Sequence, residues 1–168
     1  MGSYLKNEFA QHLLKNVPRV AAKPLQLFPF RLKGKILERL LSQLLSQQEE
    51  DEELDFLVGR WVAINIEDMQ LAFEVSYANQ WLVRPISAAE VTFTAQSNEL
   101  VLIAAGEEDP DTLFFQRKLQ IEGDTELGLE VKNLLLAVEF DSMPAPARIG
   151  ISKLAQLIQK LQSTAGAY

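Results

Sequence analysis

The side chains best suited to acid–base chemistry are concentrated in one stretch of the chain. They are eight carboxylates: Glu107, Glu108, Asp109, Asp111, Glu122, Asp124, Glu126 and Glu130. Two such groups held close together could act as general acid and general base. A structural role is the simpler interpretation, because carboxylates at a helix N-terminus accept hydrogen bonds from free N–H groups and favour the helix dipole. We expect Asp124 and Asp111 to have this role at the starts of two helices.

Other reactive groups are scarce. The 168 residues include no cysteine and a single histidine, His12. Without cysteine, disulfides, thiolate catalysis and cysteine-ligated clusters are excluded, and one histidine disfavours both a transition-metal site and a Ser-His-Asp triad. The chain also lacks a P-loop and a G-x-G-x-x-G motif. We therefore expect a protein that is not an enzyme and has no cofactor of its own.

Charge is distributed unevenly along the chain. Residues 1–39 carry eight Lys and Arg against two Glu, a net charge of +6, which leaves −13 of the total of −7 for residues 40–168. This imbalance predicts a basic arm on an acidic body. An acidic body argues against nucleic-acid binding, which needs a basic surface. No apolar run reaches the roughly 18 residues of a bilayer span, and no signal peptide is evident, so a cytoplasmic location is expected.

Residues 109–136 combine a strand, a tight turn and a helix. Residues 118–122 alternate between polar and apolar, which is typical of a half-buried strand. Gly123 permits a sharp change of direction, and Asp124 is the expected N-cap of the helix. Apolar residues then recur at helical spacing. Gly128 costs this helix about 1 kcal/mol relative to alanine, which predicts that something packs closely against its backbone.

A family resemblance lies in residues 109–135, which read DPDTLFFQRKLQIEGDTELGLEVKNLL. The strand, Gly-Asp turn and helix resemble the signature of the sterol carrier protein type-2 family. The wider run is similar to one branch of it, the accessory factors of oxygen-independent ubiquinone biosynthesis. Weaker similarity covers residues 54–64, LDFLVGRWVAI. The resemblance implies an α+β domain with a mostly antiparallel five-stranded sheet packed by helices, an N-terminal helical appendage and an apolar cavity for lipid.

The same resemblance implies a function and partners. The chain would be a non-enzymatic lipid-binding factor that holds or presents isoprenoid quinone precursors or phospholipid. It would work beside other quinone-biosynthesis proteins, including iron–sulfur hydroxylation factors. Apart from the resemblance, the basic arm predicts a transient contact with the membrane. Two alternatives remain open: a scaffold with a solid core that docks biosynthetic enzymes without binding lipid, and an enzyme that uses the carboxylate cluster.

The pattern of elements divides the chain into three parts. Residues 1–30 form the basic amphipathic appendage, residues 31–145 the sterol-carrier-type domain, and residues 146–168 a C-terminal helix and tail. Strands are expected at 60–66, 71–76, 81–84, 91–95 and 118–122, of which the first three or four would form an antiparallel meander. Helices are expected at 31–47, 97–105, 112–116, from 124 onward, and at 147–162.

The N-terminal appendage contains an amphipathic helix from Tyr4 to Val17, which Pro18 should end or kink. Two further prolines should prevent a regular helix in residues 20–30. The helix either docks on the domain or lies on anionic lipid, and the apolar segment after it is either a strap over the core or a membrane-touching lid. The residues expected to contact a membrane are Leu5, Phe9, Leu13, Lys15, Phe28 and Phe30.

Apolar side chains on many short elements could line a ligand cavity or simply fill a core, and the sequence does not separate the two. The helix at 31–47 has an apolar face broader than a surface helix needs. That breadth would place the helix between the sheet and either the N-terminal arm or a ligand. The residues expected to line a lipid cavity are Leu40, Leu44, Trp61, Phe73, Trp81, Phe93, Phe114, Phe115, Leu127, Val131 and Leu135.

Overall fold

The computed structural model describes residues 2–165, with side chains given for residues 5–20 and 22–164. This part of the chain forms seven α-helices and one five-stranded sheet. The helices are α1 (Gly2–Leu27), α2 (Phe30–Leu44), α3 (Ser46–Glu50), α4 (Ser97–Ala104), α5 (Pro110–Phe115), α6 (Thr125–Leu136) and α7 (Ala145–Ala165). The strands are β1 (Val62–Ile66), β2 (Leu71–Tyr77), β3 (Trp81–Arg84), β4 (Val91–Ala95) and β5 (Gln120–Gly123).

The sheet has the strand order β3-β2-β1-β4-β5. Neighbouring strands are antiparallel except for β1 and β4, which are parallel. The α+β class and the mostly antiparallel five-stranded sheet are therefore confirmed. The predicted meander is correct for β1-β2-β3 and wrong for β4, because the loop after β3 carries the chain back to the far side of β1. There the Glu90 N–H donates to the Trp61 carbonyl at 3.0 Å.

One face of the sheet carries the core. In the register of the sheet, Ile64 on β1 is paired with Phe73 on β2 and with Phe93 on β4. Helix α2 packs on this face at β3, and α6 packs over β4 and β5. Since side chains alternate across a strand, Glu74 and Arg84 project from the opposite face. The fold thus places apolar side chains between the sheet and two helices.

Helix α1 runs without interruption through Pro18 and Pro24. Of the two outcomes predicted for Pro18, ending the helix is therefore wrong. The prediction of no regular helix in residues 20–30 is wrong for residues 20–27. A proline inside a helix costs about 3 kcal/mol, so packing must compensate for it. The compensation comes from α7, against which α1 lies, and from the burial of Ala10 and Ala22.

Candidate functional site

Most of the side chains predicted to line a cavity meet in one cluster on the core face of the sheet. Leu127 is fully buried and Phe93 is 3% exposed, while Leu44 and Leu135 are half-buried against the cluster. The members of the predicted set found there are Leu44, Phe73, Trp81, Phe93, Leu127, Val131 and Leu135. The apolar environment needed to hold a lipid tail is therefore concentrated between the sheet, α2 and α6.

Four predicted lining residues lie elsewhere. Leu40 is on the outer side of α2 and is 46% exposed. Phe114 and Phe115 form an edge-to-face pair on α5, and Phe115 is 81% exposed. Trp61 stacks on the guanidinium of Arg84, which lies 3.7 Å from the ring centre. These four residues do not join the core cluster, and their part in binding lipid stays a prediction.

Two open clefts lie at the end of the sheet where β1 and β4 finish. The larger, of about 510 Å³, is bordered by Lys15 and Arg19 of α1 and by the turn at Glu67 and Asp68. The smaller, of about 220 Å³, is bordered by Glu67, Gln96, Glu99, Arg117 and Lys118. Each cleft is bordered by acidic and basic side chains. None of the predicted cavity residues borders either cleft, although Ala95 of the core cluster borders the smaller one.

Glu74 is a fully buried carboxylate on the opposite face of the sheet. Arg84, directly across in the register, donates from Nε to Oε2 at 2.6 Å, and the backbone N–H groups of Ser87 and Ala89 donate to Oε1 at 2.8 Å each. Burial opposes ionisation, but these hydrogen bonds and the charge of Arg84 outweigh it and hold the pKa of Glu74 below its ordinary value of 4.5. Glu74 therefore organises the loop after β3. Glu74 and Arg84 are paired in the register of β2 and β3. The sequence alone did not reveal this pair, because it depends on the register.

Three of the eight carboxylates singled out in the sequence have structural roles. Asp124 caps α6 by accepting from the Leu127 N–H at 2.8 Å, as predicted. At α5 the cap is Asp109, which accepts from the Thr112 N–H at 3.1 Å, while Asp111 lies in the first turn and pairs with Lys132 at 2.7 Å. Within the described part of the chain, no group of three His, Asp or Glu side chains is arranged to hold a metal ion.

Glu99 is the carboxylate most affected by burial among the side chains that border the clefts. It lies at the start of α4 and is 7% exposed. Burial raises the pKa of Glu99 above its ordinary value of 4.5, the charge of Lys118 opposes this shift, and Glu108 adds to it. A single carboxyl of this kind does not by itself form an acid–base pair.

Gly128 is held against the sheet, as predicted. A side-chain Cβ at this position would lie 3.1 Å from Cγ2 of Ile121 and 3.4 Å from Cγ2 of Val91. Gly123, which joins β5 to α6, has a φ of 116° and would place a Cβ only 3.0 Å from the Val91 Cα. The two glycines let α6 lie directly on β4 and β5.

Four of the six residues predicted to touch a membrane are exposed. Leu5 and Phe9 are 68% and 64% exposed, and Lys15 and Phe28 are also exposed, whereas Leu13 and Phe30 are half-buried. Helix α1 instead packs through its other side, which includes Leu14. None of the helices among residues 2–165 is long and apolar enough to cross a bilayer.

Comparison with known proteins identifies the fold and the family. Residues 37–136 match the SCP-2 sterol transfer family. The chain is 46% identical over 149 residues to the ubiquinone biosynthesis accessory factor UbiT of Escherichia coli K12, which covers 88% of this chain and 86% of that protein. A solved structure titled UbiJ-SCP2 ubiquinone synthesis protein aligns with a TM-score of 0.50 at 18% identity, over 64% of this chain and 96% of that one. The resemblance found in residues 109–135 is thereby confirmed, and the chain belongs to the SCP-2 sterol transfer family.

Proposed function

We propose that this chain is a non-enzymatic accessory factor of ubiquinone biosynthesis that binds lipid between its sheet and its helices. The observation that carries the proposal is the 46% identity to UbiT over 88% of the chain. Membership of a sterol transfer family supports the lipid-binding part. The oxygen-independent branch, and iron–sulfur hydroxylation factors as partners, follow from the resemblance in residues 109–135. The proposed ligands are isoprenoid quinone precursors or phospholipid.

Helix α2 is the element through which a lipid would enter. Gly34 is its one fully buried residue, and its inward leucines, Leu37, Leu41 and Leu44, are only half-buried against the core cluster. Displacing α2 would therefore remove less apolar surface from contact than displacing α6, which buries Leu127, Val131 and Leu134. A tail between α2 and the sheet would contact the same apolar face of β2 and β3.

Co-purified lipid provides the direct test of binding. The full chain would be purified without detergent and extracted, and the extract analysed by mass spectrometry, with the E. coli UbiT treated in parallel. We expect quinone-type or phospholipid molecules at a fixed ratio to protein. A second measurement is the ubiquinone content of E. coli cells that lack UbiT and carry this chain, grown with and without oxygen. Restoration only without oxygen would support the proposed branch.

A scaffold without lipid is the second candidate. The observations in its favour are the continuous buried cluster around Phe93 and Leu127 and the exposed Phe115, which suits protein contact. Restored ubiquinone synthesis by a chain that carries no extractable lipid would favour the scaffold. Restored synthesis together with bound lipid would favour the lipid-binding factor.

The outer side of α1 supports a peripheral contact with membranes as part of the proposed function. Leu5, Phe9 and Val17 are exposed, and the basic residues Lys6 and Lys23 are exposed on the same helix. An apolar stripe flanked by lysines is the pattern of a helix that lies in the lipid interface. The acidic body would be repelled by anionic lipid and stay turned away, so that contact orients the protein.

A further inference from the structure

The indole N–H of Trp81 is a buried donor in an apolar environment. Trp81 is 5% exposed and belongs to the core cluster. Its Nε1 has no hydrogen-bond acceptor among the side chains and backbone that the structure describes. Two other buried polar atoms also have no hydrogen-bond partner in the described part of the chain, the acceptor Glu130 Oε2 and the donor Arg148 Nε. Neither residue belongs to the core cluster. Buried donors in folded proteins are nearly always paired, so the Trp81 N–H needs an explanation.

The position of Trp81 matches the proposed lipid region. It begins β3, the strand on which α2 packs. Its ring meets that of Tyr77 edge to face, with 5.3 Å between the centroids. The core cluster to which Trp81 belongs also contains the apolar face of β2, and the half-buried leucines of α2 pack against this cluster. A few polar groups within an apolar wall are what fix the orientation of a small-molecule ligand.

The charges near this position select an uncharged ligand group. The acidic side chains of Glu49 and Asp55 act on Tyr77, and together with burial they raise its pKa. An anionic phosphate beside Tyr77 and Trp81 would face these carboxylates and would also lose its hydration. A neutral carbonyl oxygen is not repelled by these carboxylates, and its smaller loss of hydration is offset by the single N–H hydrogen bond that it would accept.

We propose that the Trp81 indole N–H donates to an uncharged carbonyl oxygen at the head of a bound lipid whose tail lies between α2 and the sheet. The inference rests on the proposed lipid-binding function and adds the residue that fixes the head of the ligand. A quinone ring and the ester of a phospholipid both offer such an oxygen. A hydrocarbon of the same length does not.

The two tryptophans of the chain provide a matched test. The full chain is labelled with ¹⁵N, and its two indole resonances are assigned with Trp61→Phe and Trp81→Phe. It is then titrated with a 1,4-benzoquinone that carries a short alkyl tail, with a short-chain phosphatidylcholine below its micelle concentration, and with the matching alkane. We expect the quinone, the phosphatidylcholine or both to shift the Trp81 indole proton strongly, while the alkane and the Trp61 resonance show no comparable change. Trp81→Phe should weaken binding of the shifting ligand by roughly three- to tenfold more than it weakens binding of the alkane, the effect of one hydrogen bond.

The outcomes separate this inference from the function on which it rests. A shift with the quinone alone assigns the oxygen to a quinone head, and a shift with the phosphatidylcholine alone or with both assigns it to a lipid carbonyl more generally. If other resonances show binding while the Trp81 N–H stays unmoved, the ring of Tyr77 or a water satisfies it, and the inference is overturned while the function stands. If no ligand in the series moves any resonance, the proposed lipid binding itself fails.

Discussion

At the scale of single residues, two buried carboxylates respond to the fold in opposite ways. Glu74 receives hydrogen bonds from Arg84 and from two backbone N–H groups, which offset its burial and lower its pKa. Glu99 is buried beside Lys118 without comparable donors, and its pKa is raised. Folding therefore favours the ionised form of the first carboxyl and the protonated form of the second.

These shifts predict pH effects of opposite sign. Glu74→Gln should destabilise the fold by about 1–3 kcal/mol at pH 7, and the loss should shrink as the pH falls below 4.5 toward the lowered folded-state pKa. Glu99→Gln should stabilise the fold at neutral pH, and its gain should fade as the pH is lowered through the raised folded-state pKa toward 4.5. Urea unfolding of the three proteins between pH 3 and pH 8 measures both. Parallel stability curves for the variants would contradict the assignment.

Gly128 predicts a steric effect. Gly128→Leu should lower the free energy of unfolding by about 1–3 kcal/mol. The leucine Cβ would lie 3.1 Å from Cγ2 of Ile121 and 3.4 Å from Cγ2 of Val91 on β4, which leaves no space for the rest of the side chain. Bound lipid should also be reduced if α6 is pushed from the sheet. Gly150→Ala in α7 is the matched control, since nothing lies within 4 Å of its Cβ, and it should stabilise by about 0.5–1 kcal/mol. Thermal unfolding and lipid extraction decide the matter, and a Leu variant with wild-type values for both would show that α6 is not in close contact.

Asp124 predicts a graded capping effect. Asp124→Ala should destabilise the fold by about 0.5–2 kcal/mol, whereas Asp124→Asn should be mild because asparagine caps a helix about as well. The half-exposed pair with Arg60 at 3.5 Å adds little to either value. Denaturant midpoints measure stability, and ubiquinone content in complemented cells measures function. An alanine variant of full stability that abolished function would point instead to a chemical role.

At the scale of elements, α1 and α2 each carry more apolar side chains than they bury. Helix α1 uses Ala10 and Ala22 to pack and leaves Leu5 and Phe9 exposed. Helix α2 turns one row of leucines to the core and leaves a second row exposed, namely Leu32, Ile36 and Leu40. Such outward rows on neighbouring basic helices favour contact with another apolar surface.

The outward stripe of α1 predicts reversible membrane binding. We expect the full chain to sediment with vesicles that contain anionic lipid, and raised salt should weaken this binding because it screens the exposed lysines. The triple substitution of Leu5, Phe9 and Val17 by glutamine should weaken it roughly tenfold or more through lost apolar contact. These side chains are exposed, so the fold should remain.

The matched control for vesicle binding replaces three exposed apolar residues of α7 by glutamine, namely Ile149, Leu154 and Leu157. It should leave sedimentation unchanged. Substitution is a sharper test than removal of residues 1–30, because removal would also uncover the surface of α7 that α1 covers. Equal sedimentation of the wild type and the α1 triple variant would rule out α1 as the contact.

At the scale of the whole molecule, burial is divided between two clusters. The larger joins the sheet to α2 and α6, and the smaller contains Leu102, Ala155 and Ile158, with Leu14 of α1 packed against it. The smaller cluster unites α1, α4 and α7. The boundaries proposed from the sequence, at residues 30 and 145, stay a prediction, because the smaller cluster also includes α4, which lies between them.

The two clusters predict unequal local stability. Amide hydrogens of α1 and α7 should exchange before those of β1, β2, β4 and α6, because fewer buried apolar side chains hold the outer helices. Hydrogen exchange followed by mass spectrometry measures this, and Ala155→Gly, which weakens the smaller cluster, should speed exchange only in α1, α4 and α7. Uniform protection across all of these elements would indicate one cooperative unit.

The sequence by itself determined the local features of this protein. Local sequence patterns located the five strands. Gly123 followed by Asp124 predicted the turn and cap, because conformational freedom and capping depend on residues close together in the chain. The cost of a glycine within a helix is also a local property, and it correctly predicted close packing at Gly128. The family, too, could be recognised from the contiguous residues 109–135.

Tertiary structure decided what depends on distant partners. Both leucine rows of α2 have helical spacing, so only packing on β3 could choose Leu37 and Leu41 to face inward and Leu40 to face out. The parallel pairing of β1 with β4 is likewise a choice between strands far apart in the chain. Pro18 lies within a continuous helix because packing against α7 offsets the cost that local rules assign to it. Each of these outcomes depends on free energy gained between elements, which local propensity does not contain.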